Sequence, residues 1–288
     1  MKAYPILLFF IAVVLISVFD KPQQKTEFEK QLDAKVLKAN QALNQHSASG
    51  NHLQNGYIKA LTDGITFTEQ NINQRIKQGT NGHMHTADFI VPWRDSYQNT
   101  VNLSAMGVDW KHHFANSYLV GIRPFPVENN WLPLYTLSQI KTYQYDHEQY
   151  GVQEMWQNSA QAFAHPRGDC EDHAIILADW LISEGVDARV VGGKYKDGGH
   201  AWVVAIVDNK AFILEATSKR VGKSWNHYPL ASLAKYYQPE FMFNRTDFWV
   251  NTDTRIKTDY QGHHWRKTSV FQAYKKPTIK PIPKTKKG

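Results

Sequence analysis

The feature that most restricts the fold of this chain is a long apolar helix followed by apolar strands, all within residues 170–216. Residues 174–182 are apolar except for Asp179, and the run ends at Glu184 and Gly185, which is typical of a buried helix with a glycine stop. A helix of this kind needs a core to cover it. The 288 residues are 42% hydrophobic and 13% aromatic, so the chain can build that core and global disorder is excluded.

Strand-like runs follow this helix. Residues 188–192 form a short β-branched run, and residues 201–207 are almost continuously apolar, as expected of a strand buried on both faces. Asp208 and Asn209 predict a turn, from which residues 211–216 return as the second arm of a hairpin. A helix that leads into antiparallel strands predicts an α+β fold.

The single cysteine, Cys170, lies at the start of the predicted helix. One cysteine forms no disulfide within the chain and no cysteine-rich metal cluster, which excludes disulfide scaffolds and zinc ribbons. Asp169 is placed to act as the N-cap, and the free amides of a first helical turn favour a thiolate. The negative charges of Asp169, Glu171 and Asp172 act in the opposite direction, so a cation must be brought close to the thiol.

His200 is the predicted source of that cation. It precedes the apolar strand, and the hairpin places it opposite or diagonal to Glu215, within reach across the strands. A carboxylate in that position could orient the imidazole and stabilise its charged form. Cys170, His200 and an acid in this relation are the nucleophile, the base and the orienting group of acyl transfer.

Three strings in this region resemble a known family. They are GDCEDHA at 168–174, HAWV at 200–203 and FILEAT at 212–217, with Trp156 fourteen residues before Cys170. Together they are similar to the transglutaminase-like superfamily, and within it to the bacterial transglutaminase-like cysteine proteinases. The resemblance covers residues 143–217. It implies a papain-like core with the cysteine on a helix and the histidine and acid on adjacent strands.

The resemblance implies a role for each matching residue: Cys170 is the nucleophile, His200 the general base, and Glu215 stands in the acid position. Glu215 departs from the family, in which Asp is usual and is often followed by Pro and Thr, so Asp208 is the alternative orienting acid. Trp156 is interpreted either as part of the substrate site or oxyanion hole, or as a buried core residue. The implied chemistry is acyl transfer through a thioester, and the favoured reaction is hydrolysis of a peptide or amide bond by a cysteine peptidase.

This chemistry requires no cofactor. In a calcium-regulated branch of the same proteinases, acids flanking the cysteine bind the ion, and Asp169 and Asp172 match those positions, so calcium is a candidate. The alternative is favourable charge at a helix start without a metal. Three pairs of histidines lack Cys or carboxylate companions at metal-ligand spacing and are expected on the surface. They are His83 and His85, His112 and His113, and His263 and His264.

The two ends of the chain differ from its body. Residues 6–19 are apolar and predict a signal anchor over residues 1–20, because no small residues mark a cut site; a cleaved signal peptide is the alternative. Six lysines without an acid lie in the basic, Pro-rich tail at residues 272–288, which leaves 27 basic against 26 acidic residues elsewhere. The body is therefore nearly neutral, and no nucleic-acid partner is predicted.

Between these ends we predict two regions. Residues 21–80 form a membrane-proximal helical region with helices at 26–45 and 67–77, and residues 81–271 form the transglutaminase-like catalytic domain, in which residues 81–133 lack clean periodicity. The expected location is the bacterial inner membrane, with the catalytic domain in the periplasm, or the periplasm itself if the signal is cleaved. The expected partners are a protein or peptide substrate and that membrane.

Two other functions fit the same residues. An amine as second substrate would make the protein a transglutaminase-type cross-linker, and the three strings do not separate this from hydrolysis. The departure at Glu215 and the acids around Cys170 fit instead a catalytically silent domain that binds a protein or a peptidoglycan peptide in the same place.

Overall fold

The computed structural model describes most of the chain between residues 25 and 274. The predicted anchor at residues 1–20 and the lysines of the predicted tail lie outside the described residues. Among the helices described, none combines the length and the apolar character needed to cross a membrane. The described residues are 25–47, 53–83, 87–93, 96–219, 228–254 and 259–274.

Two compact units divide the chain, residues 1–38 and residues 39–288. In the first unit, helix α1 (Glu27–Ser47) begins after Thr26, which confirms a helix in this stretch. The Thr26 hydroxyl accepts a hydrogen bond from the Glu29 amide, and the Glu29 carboxylate accepts one from the Thr26 amide at 2.7 Å. This reciprocal cap satisfies amides that a first helical turn leaves free, so the helix starts here.

The second unit is built around one antiparallel sheet. Eight strands form it, every neighbouring pair is antiparallel, and three others form a second sheet. Among the described residues the strands are β1 (Gly56–Ala60), β2 (Thr66–Thr68), β3 (Phe89–Trp93), β4 (Ser96–Met106), β5 (His112–Phe114), β6 (Thr142–Tyr143), β7 (Arg167–Gly168), β8 (Asp187–Tyr195), β9 (Gly198–Val207), β10 (Lys210–Leu214), β11 (Tyr237–Phe243), β12 (Asp247–Asn251) and β13 (Trp265–Ala273). The main sheet has the order β10-β9-β8-β11-β12-β13-β1-β2, the second sheet is β3-β4-β5, and β6 pairs with β7 in parallel.

The helices of this unit are α2 (Glu69–Gly79), α3 (Leu132–Ile140), α4 (Asp146–Gln149), α5 (Ser159–Ala164) and α6 (Cys170–Ser183). Helix α6 packs on β8 and β9 and also contacts α3 and α5. Its residues 174–178 are completely buried, which is why that stretch is apolar. A cysteine-bearing helix packed on an antiparallel sheet is the predicted α+β, transglutaminase-like core, and the fold class is confirmed.

The two ends of α6 differ in how they are capped. Gly185 has a φ of +88°, and the amides of Gly185 and Val186 donate to the carbonyls of Ile182 and Leu181, both at 3.0 Å. Glycine adopts this left-handed conformation without the Cβ clash that other residues meet, so it ends the helix as predicted. At the other end Asp169 has the extended backbone of an N-cap, but its side chain makes no capping hydrogen bond. The predicted capping role of this carboxylate is therefore wrong.

The hairpin of β9 and β10 follows from its turn residues. Asp208 and Asn209 have φ values of +50° and +57°, and a two-residue type I′ turn requires positive φ at both positions. The strands pair in the register that aligns Val207 with Lys210. Residues 202–205 are completely buried, which confirms the prediction of a strand covered on both faces.

Strands occupy part of the segment in which the sequence predicts helices. β1 and β2 fall within residues 21–80, and β1 pairs with β13, so a boundary at residue 80 divides elements that share one sheet. Phe67, expected in a helix, lies in β2. Helix α2 begins after it, at a capping box formed by Thr68 and Asn71. One partner of β1, strand β13, lies at the far end of the chain, so no sequence pattern near residue 56 indicates that pairing.

Hydrogen bonds to Asp179 link the middle of α6 to other parts of the unit. Its side chain is completely buried and accepts hydrogen bonds from the amides of Gly121 and Ile122, at 2.8 and 2.9 Å, and from the Ser159 hydroxyl. Arg245 donates from Nε to the other carboxylate oxygen and from Nη2 to the Asp179 carbonyl. The acid that interrupts the apolar run is thus satisfied by donors from three separate segments.

Candidate active site

The thiol of Cys170 lies at the first residue of α6. Its sulfur is next to the backbone amide of Ala201, the residue that follows His200 in β9, and is 3.4 Å from the Glu171 carboxylate. Burial, and then the negative charge of Asp169, raise the pKa of the thiol to about 12. At neutral pH the resting cysteine is therefore a thiol.

A hydrogen bond joins His200 to Glu215. Nε2 of His200 and Oε2 of Glu215 are 2.8 Å apart, and the two side chains are 15% and 24% exposed. The other oxygen of Glu215 accepts from the amide and the hydroxyl of Thr217, at 3.2 and 2.7 Å. Burial acts to raise the pKa of Glu215, but the hydrogen bond and charge of His200 and the bonds from Thr217 outweigh it and lower the pKa. The extra methylene of Glu, compared with Asp, thus still brings the carboxylate to the imidazole.

The predicted site residues do not all lie together. Cys170, His200 and Glu215 lie in one place, where α6 meets β9 and the residue after β10, and their catalytic roles stay predictions. Asp208, the alternative acid, lies in the hairpin turn at the opposite end of β9 from His200.

Trp156 is a buried core residue. It is 4% exposed, its ring contacts Tyr118 edge to face at a centroid distance of 5.2 Å, and it stacks with Phe243 at 6.3 Å. Its amide donates to the Met106 carbonyl at 2.8 Å. These contacts agree with the interpretation of Trp156 as a buried core residue. A direct role in substrate binding stays a prediction.

Tyr237 belongs to this site and was not found from the sequence. Its hydroxyl donates to Oε2 of Glu215 at 3.0 Å, the same oxygen that contacts His200. Its ring lies 4.7 Å from that of Tyr195, which is 5.8 Å from the His200 ring. Tyr237 begins β11, and only the sheet order, which places β11 beside β8, brings it here. Nothing in the neighbouring sequence of Tyr237 indicates a contact with a residue 22 positions earlier in the chain.

A cluster of three buried acids lies beside the cysteine. One carboxylate oxygen from each of Asp146, Asp169 and Glu171 lies within 4.8 Å of the others, and the side chains belong to residues only 1%, 8% and 5% exposed. Burial first, and then the charges of neighbouring acids, raise the pKa of Asp146 to about 9 and that of Glu171 well above its usual value. Each of the three has one buried oxygen that finds no hydrogen-bond partner among the described residues. Burial thus favours the protonated, neutral form of Asp146 and Glu171 at neutral pH.

Asp172, the other acid of the predicted calcium pair, lies outside this cluster. Its two oxygens accept from the amide and the side-chain nitrogen of Gln157, at 2.8 and 2.6 Å. The acids whose oxygens lie close enough to hold one ion are therefore Asp146, Asp169 and Glu171, and calcium binding by Asp169 and Asp172 stays a prediction. The sequence missed Asp146 because it lies in α4, which the chain brings to the start of α6 only through the pairing of β6 with β7.

His112 and His113 are buried, which corrects the expectation that they lie on the surface. They are 2% and 4% exposed. The ring of His113 lies between two carboxylates, with Nε2 2.9 Å from Asp109 and Nδ1 3.1 Å from Glu69. Burial acts to lower the pKa of His113, but hydrogen bonds and charge from Asp109 and Glu69 raise it to about 9. This histidine is a buried cation in an ion-paired group.

The family whose model matches this chain is described as the CEP76 peptidase-like domain, and the match covers residues 154–272. The segment includes Cys170, His200, Glu215 and Tyr237. The match covers less than half of the chain. The peptidase-like description agrees with the observed core. It does not show that this chain catalyses a reaction.

Curated relatives match a short segment. Proteins named Centrosomal protein of 76 kDa from Mus musculus and from Homo sapiens are each 44% identical over 55 residues, which is 19% of this chain and 8% of the relative. The same protein from Danio rerio is 43% identical over 53 residues, 18% of this chain and 8% of the relative. The chain thus matches about a twelfth of the length of these relatives.

Solved structures with a similar arrangement include LapG of Legionella pneumophila. One LapG structure aligns with a TM-score of 0.35 at 20% identity, covering 47% of this chain and 74% of LapG. A calcium-bound LapG structure aligns with the same TM-score at 18% identity, covering 52% of this chain and 83% of LapG. At these TM-scores the alignments describe a partial likeness and nothing about activity.

The curated relatives overturn the predicted source and location. They are vertebrate proteins that are named as centrosomal, so the expectation of a bacterial, signal-anchored protein of the inner membrane or periplasm is wrong. The prediction depended on the apolar run at 6–19, which lies outside the described residues, and on the proteinase-like strings. Those strings reflect helix-start and strand chemistry, which specifies a core and not an organism or a compartment.

Proposed function

We propose that this protein is a thiol enzyme that hydrolyses a peptide or amide bond through a thioester on Cys170. The observation that carries the proposal is the 2.8 Å hydrogen bond between His200 Nε2 and Glu215 Oε2, beside the single cysteine of the chain. That bond orients the ring and leaves Nδ1 as the nitrogen available to the thiol. The peptidase-like description of the matching family supports the same chemistry.

Each step of the proposed reaction balances. His200 Nδ1 takes the proton of the Cys170 thiol as the sulfur attacks the carbonyl carbon, and the C–N bond then breaks while the imidazolium returns the proton to the leaving amine. Water attacks the thioester, His200 takes its proton, and the proton passes to the sulfur as the acid is released. Glu215 stabilises the imidazolium in both halves without itself being protonated.

The raised pKa of the thiol sets a condition on this chemistry. With a pKa of about 12, the cysteine ionises only if the imidazolium of His200 stabilises the thiolate or if the negative charge around Asp169 is reduced. The charge of the acid cluster therefore affects whether Cys170 can act as a nucleophile.

We propose that calcium binds at the cluster of Asp146, Asp169 and Glu171. Three carboxylate oxygens, one on each residue, lie within 4.8 Å of one another, which suits a hard cation that takes oxygen ligands. Each residue also has a buried oxygen without a partner among the described residues, which favours ion binding over the alternative of favourable charge at a helix start. When bound, the ion would supply positive charge next to the thiol. The three acids would hold it from α4, the N-cap position and the first turn of α6.

Thermal unfolding of chelator-treated protein tests the calcium site. Calcium at about 100 times its dissociation constant should add about 2.7 kcal/mol to the free energy of unfolding. We expect Asp146→Asn to remove most of that gain and magnesium to reproduce little of it. Glu148→Gln, a neighbouring exposed acid of α4, is the matched control. No calcium-dependent shift in the wild type would contradict the site.

Labelling of Cys170 by an iodoacetamide probe at pH 6 to 7, followed by intact mass, tests the enzyme. We expect labelling faster than that of a free model thiol once calcium is present, and slower labelling in His200→Ala. His263→Ala, an exposed histidine before β13, should leave the rate unchanged. Equal rates in wild type and His200→Ala would count against a catalytic pair.

An amine as second substrate gives the competing cross-linking reaction. Incorporation of a fluorescent primary amine into a protein substrate distinguishes the two, because hydrolysis leaves the amine free. We favour water, and the sequence context of Cys170, which resembles the proteinase branch, supports it. Amine incorporation that exceeds hydrolysis would reverse this preference.

A silent binding domain is the second candidate function, and the observation that favours it is the thiol pKa of about 12. Such a domain would bind a protein segment at the same surface. Full rescue of a knockout by Cys170→Ala would support binding without catalysis. Loss of function in that variant, with unchanged folding and ligand affinity, would support the enzyme.

A further inference from the structure

Exposed tyrosines lie on both sides of the cysteine and histidine. On the cysteine side, Tyr143 pairs with Gly168 across β6 and β7, two residues before Cys170. The Tyr143 ring meets that of His173, in the first turn of α6, edge to face at a centroid distance of 6.2 Å. Tyr143 nevertheless remains 38% exposed.

The cysteine side continues outward through Tyr145. Its ring meets that of Tyr143 edge to face at 5.2 Å and stacks on the ring of His147 at 5.5 Å. Tyr145 is 53% exposed, so a row of rings runs from the first turn of α6, which begins at Cys170, into solvent.

On the histidine side, Tyr195 ends β8 with its ring 5.8 Å from that of His200. Lys196 follows in a tight turn, donates its amide to the Tyr236 carbonyl at 3.1 Å, and places its ammonium 5.4 and 5.9 Å from the rings of Tyr195 and Tyr236. Tyr236 is 66% exposed. The Lys196 ammonium and the two rings thus form one group, in which Tyr195 is half-buried and Tyr236 is exposed.

These residues share a property that the proposed reaction does not use. The four residues Tyr143, Tyr145, Tyr195 and Tyr236 are here called the tyrosine surface. Tyr195 is half-buried, and the other three are exposed beside the candidate site. Tyrosine contributes a large rigid contact area at low entropic cost, and its ring binds large apolar side chains better than small polar ones. An uncovered aromatic surface of this kind beside a nucleophile needs an apolar partner.

We propose that the tyrosine surface selects the substrate: a polypeptide segment carrying large apolar or aromatic side chains on either side of the bond at Cys170. The cleavage step in this inference rests on the proposed function. The preference in binding does not depend on it. The Tyr143 and Tyr145 rings take side chains on the cysteine side, and the Tyr195 and Tyr236 rings take those on the histidine side.

Cleavage of an equimolar library of synthetic peptides, with cut positions read by mass spectrometry, tests the selection. We expect cuts to be enriched in Phe, Tyr, Trp, Leu or Met within two residues of the broken bond. Tyr145→Ser and Tyr236→Ser should each raise KM for such peptides about tenfold with little change in kcat. Tyr274→Ser is the matched control, because Tyr274 is 60% exposed and follows β13, four strands from β9 in the sheet. Cuts without enrichment, or unchanged KM in both variants, would overturn the proposal.

A binding measurement separates this inference from the proposed function. Fluorescence anisotropy on Cys170→Ala compares two peptides of equal length and charge, one rich in Tyr and Phe and one rich in Ser and Gln. A preference of at least tenfold for the aromatic peptide, lost in Cys170→Ala/Tyr145→Ser, supports the tyrosine surface even if no peptide is cut. Equal affinity for the two peptides would contradict the tyrosine surface as a binding site. A preserved preference without any cleavage would contradict only the proposed peptidase activity.

Discussion

The middle and the start of helix α6 bury carboxylates in opposite ways. In the middle of the helix, Asp179 accepts from two amides, a hydroxyl and a guanidinium, and no oxygen is left over. At its start, Asp169 and Glu171 join Asp146 in a cluster with unpartnered oxygens. A buried carboxylate is costly unless donors or a cation replace water. The difference teaches that burial alone does not mark a functional acid, whereas burial without partners does.

Glu215 belongs with Asp179 in this comparison, although it lies in the candidate site. Its two oxygens accept from His200, Tyr237 and Thr217. It is a partnered acid whose partners include the imidazole, so it positions a group. Each acid of the cluster keeps one oxygen without a donor among the described residues, although the Met155 amide donates to Asp146 and the Cys170 thiol to Glu171. We therefore propose three separate tasks: structural support by Asp179, positioning by Glu215 and ion binding by the cluster.

Removal of Asp179 should give the largest effect on stability. Asp179→Ala leaves the Arg245 charge and the amides of Gly121 and Ile122 without their partner, and we expect a loss of about 3–5 kcal/mol in the free energy of unfolding, measured in urea. Asp187→Ala, which removes an exposed partner of Arg189, should cost less than about 1 kcal/mol. A loss below 1 kcal/mol for Asp179→Ala would break the comparison.

Neutralising Glu215 should have the largest effect on activity. Glu215→Gln keeps the size of the side chain but cannot stabilise the imidazolium, and we expect kcat to fall by roughly 10²- to 10⁴-fold with little change in melting temperature. Glu215→Asp retains the charge and should be milder. Near-equal turnover of wild type and Glu215→Gln would move the positioning role elsewhere, and Asp208→Asn would be the next variant to measure.

Rising pH should weaken the folded protein through the acid cluster. The unfolded chain releases the proton of Asp146 near pH 4 and the folded chain releases it at about 9, so in this window the folded state holds more protons. Stability then falls as pH rises, by about 1.4 kcal/mol per pH unit for one fully linked proton. Urea unfolding in chelator at pH 5.0 and 6.5 should show the slope in wild type and a smaller one in Asp146→Asn.

His113 supplies an internal check on that experiment. Its pKa is raised from 6.5 to about 9, so the stability it contributes is present below pH 6.5 and is lost as pH rises from 6.5 through 9. Burial lowers the pKa of His173 to about 3, so this residue makes stability rise with pH between 5.0 and 6.5, opposite to the acids. The contribution of Asp146 is therefore the difference in slope between wild type and Asp146→Asn, and His113→Gln should leave that difference unchanged. Equal slopes in wild type and Asp146→Asn would contradict the cluster as described.

Removal of one donor from Glu215 should give the smallest effect. Tyr237→Phe deletes one hydrogen bond among several, and we expect kcat to fall about two- to tenfold, consistent with a net hydrogen-bond contribution of about 0.5–1.5 kcal/mol. Tyr195→Phe, whose ring lies in the same group, is the control. A positioning role also predicts a shifted pH profile of kcat/KM in Tyr237→Phe, which a purely structural role would not produce.

The sequence by itself determined the parts of the molecule that depend on neighbouring residues. The apolar run and Gly185 specify α6 and its end, and Asp208 with Asn209 specifies the turn that sets the register of β9 and β10. That register is why the contact between His200 and Glu215 could be expected. Helical periodicity, turn chemistry and strand alternation all act within a few residues, so they are readable along the chain.

Only the tertiary structure decided the rest. Tyr237 reaches Glu215 through the order of the strands, Asp146 reaches Asp169 through a short parallel pair, and β1 joins the sheet through the distant β13. The charges follow from the same packing: Asp179 is satisfied and Glu171 is not, although both lie on one helix eight residues apart. Burial and partners come from segments remote in sequence, and they set the hydrogen bonds and pKa values that give each acid its task.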